Sequence, residues 1–352
     1  MGIPVTLSKV AVAMSGGIDS SIAAYLLKRK GYNVIGIFLR LYDGDKWSAL
    51  RCRVREIADA LKIDVYEVDA RDYFKRYVVD RFLKEIEKGN TPNPCVWCNR
   101  LVKVDFLLGY AMRAFNVDLV ATGHYAGVEQ RGKRFLLKKG RDALKEQSYF
   151  LYMLTQKELS RLLLPLERYT KGEIKRIATD IGLNFEGIKE SQDICFVEGN
   201  YEEWLVRTGI RCEPGNVVNV SGSVIGRHRG LPFYTIGQRK GLGGWGGGPY
   251  YVVEKDIDNN RVVAGRREDC LFSGALLRDV NIIYEDFFVG ERDVMVKVRY
   301  GMEDVPATLY WSDGRLWVRF HVKLFGVTPG QSAVFYVGRY VFGGGIIERG
   351  VR

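Results

Sequence analysis

The chain has 352 residues, of which 47% are hydrophobic and 27% are charged, and it carries a formal net charge of +11 at pH 7. This composition predicts a globular protein of about two to three domains, and no apolar run approaches the ~20 residues of a membrane-spanning helix. The first residues lead directly into a strand rather than into a cleavable signal, so we expect a cytoplasmic protein with no membrane partner. Six cysteines in a reducing compartment do not form a disulfide framework, and the positive charge favours a polyanionic partner or simply aids solubility.

The first predicted element is a buried strand that ends at a glycine-rich loop and is followed by a helix. Residues 10–21 read VAVAMSGGIDSS, and Ile22, Leu26 and Leu27 then follow at helical spacing. Two glycines allow positive φ angles and bring backbone amides close to a ligand, while the helix start adds unpaired N–H donors. The pattern predicts a site for a phosphate chain, although the Lys-Ser/Thr pair of the Walker loop is absent. The alternative is a turn without a ligand, for which the serine and aspartate side chains are unnecessary.

Strand-like and helical segments alternate up to about residue 200. The predicted strands cover residues 33–38, 64–68 and 119–122, and the predicted helices cover residues 48–61, 73–88 and 104–115. This alternation is typical of an α/β fold with a doubly wound parallel sheet, in which ligands bind beyond the carboxyl ends of the strands. A capping box formed by Thr170 and Glu173 opens a further helix, which we expect Gly182 to end.

From about residue 210 the sequence changes to short strands separated by glycine turns. Hairpin turns are predicted at residues 258–260 and 312–314, and Val294, Val296 and Val298 alternate as in a half-buried strand. We therefore expect a parallel-sheet domain at residues 1–207, with a linking helix near 170–182. A small central β domain at 208–274 and a C-terminal antiparallel β-barrel at 275–352 follow it.

Two cysteines lie in a proline-containing segment. Residues 91–100 read TPNPCVWCNR, and the two prolines with Asn93 predict a rigid non-helical turn that holds Cys95 and Cys98 at its end. Such a geometry suits a reactive or metal-ligating thiolate, and Cys195 lies on a later stretch able to return to the same site. A structural zinc site is the alternative, but the sequence offers no second C-x-x-C or His pair to complete it. The other cysteines have no partner at motif spacing, and we expect them to be structural: Cys52, Cys212 and Cys270.

Several segments together carry a resemblance that covers nearly the whole chain. In order they read SGGIDSS, GNTPNPCVWCN, ATGHYA, QSYFLYML, SQDICFV, YTIGQRKGLG and GQSAVFY with a following GGG. The loop resembles the PP-loop of ATP pyrophosphatases, and the full set resembles the tRNA-specific 2-thiouridylases of the MnmA type. The resemblance implies a PP-loop domain, a central domain and a β-barrel, and a reaction that replaces the C2 oxygen of the wobble uridine of tRNA by sulfur. ATP activates that oxygen as an adenylate and releases pyrophosphate and AMP, because the oxygen by itself is a poor leaving group.

The resemblance also implies cofactors, partners and site residues. It implies ATP, Mg²⁺, tRNA and a sulfur-donor protein, either a cysteine desulfurase or a relay protein. The positions that match ATP-binding residues are Ala13, Met14, Ser15, Gly16, Gly17, Ile18, Asp19, Ser20, Leu39 and Gly123, with Asp19 acting through Mg²⁺. The positions that match the target-base segment are Asn93, Pro94 and Cys95, the nucleophile is Cys98, and the carrier of the persulfide is Cys195.

Further positions match residues that contact tRNA: His124, Lys145, Glu146, Gln147, Arg299, Tyr300 and Gln331. His124 is alternatively a hydrogen-bonded loop histidine, and Arg299 with Tyr300 is alternatively a plain strand end. Residues 242–248, LGGWGGG, are either a flexible hairpin or a loop that orders on RNA.

Two positions depart from the family pattern. Glu146 replaces the usual Asp and keeps its charge, whereas Cys95 stands where many members carry an Asp that assists proton transfer. A third thiol favours a [4Fe–4S] cluster on Cys95, Cys98 and Cys195 over a persulfide relay that uses Cys98 and Cys195 alone. Two other functions stay open, namely a PP-loop ligase that acts on a small molecule through an adenylate, and a non-catalytic tRNA-binding protein.

Overall fold

The computed structural model describes residues 8–44, 47–185, 187, 194–242, 249–284 and 288–352, so residues 243–248 of the glycine-rich segment lie outside it. The chain forms two compact units. One comprises residues 1–79, 95–192 and 339–341, and the other comprises residues 80–94, 193–338 and 342–352. None of the described helices is long and apolar enough to cross a membrane.

The helices, in chain order, are α1 (Ile18–Arg29), α2 (Trp47–Leu61), α3 (Arg71–Phe74), α4 (Asp80–Glu87), α5 (Pro94–Trp97), α6 (Leu107–Phe115), α7 (Gln156–Leu159), α8 (Lys171–Asp180) and α9 (Tyr201–Arg207). Residues Lys75–Val79 and Cys98–Phe106 are π-helical, and short 3₁₀ turns cover Ser148–Phe150, Leu231–Phe233 and Arg267–Cys270. The strands of the first unit are β1 (Lys9–Ala13), β2 (Asn33–Arg40), β3 (Asp64–Asp69), β4 (Leu119–Ala121), β5 (Ala126–Arg131), β6 (Arg134–Lys139) and β7 (Leu162–Leu163).

The first unit is built on a parallel sheet with the strand order β3-β2-β1-β4-β7. The central strand β1 is fully buried at Val10 and Val12, which pack with Leu27 of α1 and Ile57 of α2. Because the chain proceeds from β1 to β2 on one side and continues with β4 on the other, the strand order reverses beside β1. The loop after β1 therefore lies where open α/β sheets bind ligands, and the predicted doubly wound α/β fold is confirmed.

The capping box of α8 is also present, since the Thr170 side chain accepts from the Glu173 backbone and the Glu173 side chain accepts from the Thr170 N–H. On its packed face α8 contributes Ile174 and Ala178, which contact Ile22 of α1. The helix ends before Gly182, whose φ of +75° suits glycine.

The cysteine segment differs from the predicted non-helical turn. Only residues 91–93 are non-helical, because α5 begins at Pro94 and leads through the π-helical residues into α6. Proline suits the first position of a helix, where its missing N–H would have no intrahelical partner and its fixed φ already fits the helix. Cys95 therefore lies in the first helical turn, and Cys98 lies one turn later.

The second unit contains two β structures. Strands β8 (Gly215–Asn219), β9 (Val224–His228), β10 (Tyr251–Asp256) and β11 (Arg261–Gly265) form a sheet with the order β10-β11-β8-β9. The remaining strands are β12 (Leu271–Ile282), β13 (Glu291–Lys297), β14 (Val305–Ser312), β15 (Arg315–Phe325), β16 (Ser332–Val337) and β17 (Tyr340–Val351). They follow the order β12-β15-β14-β13-β16-β17, and β17 pairs with β12, so the barrel closes.

The predicted C-terminal barrel is thus confirmed, and two local patterns in its sequence also have the predicted structure. Val294 and Val296 point into a core that includes Leu309 and Phe335. The turn between β14 and β15 places Asp313 and Gly314 at φ of +52° and +70°, the backbone that the Asp-Gly pair favours.

Candidate functional site

The loop between β1 and α1 presents backbone donors to its surroundings. Gly16 has a φ of +73°, and Gly17 caps α1 without any side-chain hydrogen bond to the helix start among the described residues. Ser20 Oγ accepts from the Ser15 N–H at 3.2 Å and donates to the Gly17 carbonyl at 3.0 Å, which closes the loop. Because the amides at the start of a helix favour a negatively charged ligand, the start of this twelve-residue helix is a candidate site for an anion, in particular a phosphate.

Asp19, in the first turn of α1, is engaged by two side chains from elsewhere in the first unit. Lys171 Nζ lies 2.8 Å from each of its carboxylate oxygens, and the Tyr125 hydroxyl donates to Asp19 Oδ1 at 2.7 Å. The Lys171 side chain is only 11% exposed, and its backbone N–H donates to Asp142 Oδ2 at 2.7 Å. Sequence reasoning missed Lys171, whose only local signal is its place at the start of a capped helix. The predicted Mg²⁺ role of Asp19 stays a prediction.

Gly123 brings the loop after β4 against the same helix start. A Cβ atom at Gly123 would lie 2.6 Å from the Asp19 carbonyl carbon and 2.7 Å from the Ser20 nitrogen, so only glycine fits this approach. Leu39 lies near the end of β2, and the Met14 N–H donates to the Ile37 carbonyl at 2.9 Å. The structure therefore gathers the predicted ATP-binding positions at the carboxyl edge of the parallel sheet. Their binding of ATP itself stays a prediction.

His124 follows Gly123 and is buried. Its Nδ1 lies 2.7 Å from Thr122 Oγ1, and burial, together with the charge of Lys103, lowers the pKa of the His124 imidazole to about 3. The ring is therefore neutral at physiological pH, so a contact with tRNA here would not involve a charge. Lys103 was not identified from the sequence.

The predicted tRNA-contacting residues at 145–147 take part in local hydrogen bonds. Gln147 Oε1 accepts from the Tyr125 N–H at 3.0 Å, and the buried Glu146 accepts from the Ser148 N–H at 2.6 Å. Through Tyr125, the 145–147 loop is linked to Asp19 and so to the loop between β1 and α1. This arrangement gives Gln147 and Glu146 structural roles, and their contact with tRNA stays a prediction.

The cysteines differ in exposure. Cys98 is 6% exposed, whereas Cys95 and Cys195 are exposed. Although part of Cys95 reaches solvent, its thiol lies among enough protein atoms for desolvation to raise its pKa, against the opposing effect of the Lys103 charge. Within the described ranges, which include all three residues, no group of three or more His, Cys, Asp or Glu side chains is arranged to hold a metal ion. Ligation of a cluster by Cys95, Cys98 and Cys195 stays a prediction.

In the second unit, Gln331 is close to the segment that precedes Cys95. Its Nε2 donates to the Thr91 carbonyl at 2.7 Å, and the exposed Arg299 donates to Thr328 Oγ1 at 3.1 Å. Tyr300 is 41% exposed.

These features define a class, namely an α/β protein with a candidate phosphate-binding loop at the edge of a parallel sheet and with accessory β domains. Three family descriptions match consecutive parts of the chain: the tRNA methyl transferase HUP domain at residues 8–199, the tRNA methyl transferase PRC-barrel domain at 204–266, and the aminomethyltransferase β-barrel domain at 274–347. The tRNA-specific 2-thiouridylase MnmA of Clostridium perfringens is 42% identical over 97% of this chain and 99% of its own length. MnmA 2 of Clostridium botulinum (strain Okra) is 41% identical over the same shares. The chain belongs to the MnmA family of tRNA-specific 2-thiouridylases, as the sequence motifs predicted.

One solved structure is similar at a lower level. The U34-tRNA thiolase NcsA from Methanococcus maripaludis, solved with its [4Fe-4S] cluster, is 21% identical with a TM-score of 0.36, over 58% of this chain and 66% of that one. A likeness of this size supports no argument about the present chain.

Proposed function

We propose that this chain is an ATP-dependent sulfurtransferase that converts the wobble uridine of tRNA to 2-thiouridine. The observation that carries the proposal is the 42% identity, along 97% of the chain, to a relative named for this activity. The uncapped helix start beside Gly16 and Gly17 supports it, since the reaction requires a triphosphate site. Neither a small-molecule ligase nor a non-catalytic tRNA-binding protein has an observation of its own in its favour.

The first half of the reaction activates the uridine. The C2 oxygen attacks the α-phosphorus of ATP, pyrophosphate leaves, and an adenylated base forms. The loop amides and the Lys171 ammonium, which pairs with Asp19, would stabilise the negative charge of the leaving pyrophosphate. Asp19 is the loop carboxylate that would hold Mg²⁺, and the ion would supply further neutralisation of the phosphates.

The second half transfers sulfur, and the exposures of the two cysteines suit the roles that the family pattern gives them. Cys195 is exposed and so is accessible to a sulfur-donor protein, whereas Cys98 is buried. The terminal sulfur of a Cys195 persulfide attacks C2 and displaces AMP, which leaves a disulfide between Cys195 and the base. The Cys98 thiolate then attacks the Cys195 sulfur, which releases 2-thiouridine and forms a Cys98–Cys195 disulfide. Two electrons from an external thiol reductant restore both cysteines.

The role of Cys95 distinguishes this relay from the alternative route through a [4Fe–4S] cluster. Because burial raises the pKa of its thiol, Cys95 stays protonated at neutral pH and does not replace the basic carboxylate of other members. Cys95 thus adds a third cysteine at a position where it cannot take over the proton-transfer role of the usual aspartate. This observation keeps the cluster as a second candidate. If the cluster route is used, protein purified without oxygen should contain iron and acid-labile sulfide. If the relay is used, that protein should be free of iron, and the Cys95→Asp variant should be active.

The function is tested by incubating the protein with ATP, with and without bulk tRNA, and by analysing the products. The proposal expects AMP and pyrophosphate only when tRNA is present, together with 2-thiouridine in the digested tRNA once a persulfide donor is supplied. ADP as the product, or AMP release that is independent of tRNA, contradicts it. The net charge of +11 suits binding to the tRNA backbone, and a cytoplasmic location follows from the substrate.

A further inference from the structure

Thr91, two residues before Asn93, is fixed by the turn that precedes β16. The Thr91 N–H donates to the Pro329 carbonyl at 2.9 Å, and the Thr91 carbonyl accepts from Gln331 Nε2 at 2.7 Å. Both backbone polar groups of Thr91 are thus bound by residues more than two hundred positions further along the chain. No secondary-structure ladder requires these bonds, because residues 91–93 are neither helix nor strand.

Gly330 lies in close contact with the same segment. It has a φ of +91°, and a Cβ atom there would lie 2.9 Å from Asn90 Cβ and 3.0 Å from the Thr91 backbone. The turn itself is anchored to the barrel strand β17, since the Gly330 N–H donates to the Ile347 carbonyl and the Ile347 N–H donates to the Gln331 carbonyl, each at 2.8 Å. The surface that holds Thr91 is therefore part of the barrel framework.

The start of the segment is held as well. Glu85 of α4 is 5% exposed, accepts from Asn90 Nδ2 at 2.7 Å and pairs with Arg278 of β12. Residues 85–91 are thus attached at both ends to the barrel, through Arg278 of β12 and the turn that precedes β16. Asn93 and Pro94, which match the target-base segment, follow directly.

We propose that Gln331 is a positioning residue, which fixes Thr91 and thereby sets where Asn93 and Pro94 meet the target uridine. The inference rests on the proposed function and revises the family-based expectation that Gln331 contacts tRNA. Its amide donor is directed at the Thr91 carbonyl, and its backbone N–H donates to the Thr328 carbonyl at 3.2 Å. The Thr328 hydroxyl also accepts from the exposed Arg299, so the turn is linked to a second position that the family pattern assigns to tRNA contact.

The test replaces Gln331 with Met, which keeps the length of the side chain but removes the donor. The matched control is Gln130→Met, because Gln130 is an exposed glutamine whose amide also donates to a carbonyl, that of Gly132. In the tRNA-free protein, amide hydrogen exchange over residues 90–95 should rise about fivefold in Gln331→Met, the factor that corresponds to one lost hydrogen bond. The kcat of tRNA-dependent AMP formation should fall by about tenfold to a hundredfold, since the reacting groups lose alignment. The Kd for tRNA should stay within about twofold of wild type.

Unchanged exchange with a tenfold weaker Kd and a normal kcat at saturating tRNA would overturn the proposal, because it would make Gln331 a tRNA contact. If Gln331→Met does not fold, Gln331→Glu takes its place, since its carboxylate has the same shape but cannot donate. The exchange measurement uses no substrate, so it tests whether Gln331 fixes Thr91 independently of the enzyme's activity. A wild-type protein that makes no AMP and no 2-thiouridine refutes the proposed function but leaves the exchange result valid.

Discussion

The ion pair between Lys171 and Asp19 joins the start of α8 to the candidate phosphate-binding loop between β1 and α1. We predict that Lys171→Met lowers tRNA-dependent AMP formation by about 10²–10³-fold, the usual effect of removing one charge-stabilising donor. The Kd for tRNA should change little. Lys175→Met is the matched control, since Lys175 is an exposed residue of the same helix. Steady-state kinetics with varied ATP provide the measurement, and a Lys171 variant as active as the control would exclude Lys171 from phosphate binding.

The buried His124 makes folding stability depend on pH. In the unfolded chain its pKa is near 6.5, and in the folded protein burial lowers it to about 3, so between these values the unfolded state binds more protons. The stability associated with the neutral ring is complete above pH 6.5 and is lost as the pH falls toward 3. We predict that the free energy of unfolding drops less between pH 7 and pH 4.5 in His124→Asn than in wild type. Urea unfolding at both pH values measures this, and equal drops would show that the imidazole titrates normally.

Five of the six cysteines divide into two groups by the expected effect of replacing them with serine. Cys98→Ser and Cys195→Ser should each abolish 2-thiouridine formation, because a hydroxyl neither carries a persulfide nor resolves a disulfide. The matched controls should retain activity: Cys52→Ser, Cys212→Ser and Cys270→Ser. Mass spectrometry of digested tRNA gives the readout. Thiolation that survives either of the first two changes removes that cysteine from the mechanism.

Among the secondary-structure elements, those defined by local patterns were predictable. The strands at 33–40 and 64–69, the capping box of α8 and the Asp313–Gly314 hairpin follow from periodicity, capping and turn residues a few positions apart. The predicted non-helical turn at Cys95 and Cys98 was wrong, because a proline before a C-x-x-C pair is compatible with either a turn or the first position of a helix.

Such local patterns could not predict contacts between residues that are distant in the sequence. Lys171 and Asp19 are 152 positions apart, and Gln331 and Thr91 are 240 apart. In both cases the side-chain type alone allows many partners, and only the fold selects one. The family resemblance named Asp19 and Gln331 as site residues, but it did not supply their partners.

The close packing of the loop after β4 against the start of α1 requires a glycine at position 123. We predict that Gly123→Ala destabilises the protein by roughly 1–3 kcal/mol and raises the KM for ATP, because its Cβ overlaps the backbone of Asp19 and Ser20. Gly172→Ala is the control, since a Cβ there meets no atom within 4 Å. Thermal unfolding and ATP kinetics measure both effects. Equal stability of the two variants would mean that the loop is free to move away.

For the chain as a whole, the predicted division at 1–207, 208–274 and 275–352 stays a prediction, supported by family matches at 8–199, 204–266 and 274–347. The two compact units have boundaries that differ from this division, because residues 80–94 are grouped with the barrel and the central sheet. That grouping has a functional consequence under the proposal for Gln331. The segment that meets the base would be positioned by β structure remote in sequence from the ATP loop.

The central claim is that ATP activates the C2 oxygen of the uridine, and the fate of that oxygen tests it most directly. A tRNA transcript made with uridine labelled with ¹⁸O at C2 is incubated with the protein, ATP and a persulfide donor, and the AMP is analysed by mass spectrometry. Because the C2 oxygen bonds to the α-phosphorus before sulfur displaces it, each 2-thiouridine formed should yield one AMP that carries ¹⁸O in its phosphate. Formation of 2-thiouridine with unlabelled AMP would contradict adenylation of the base.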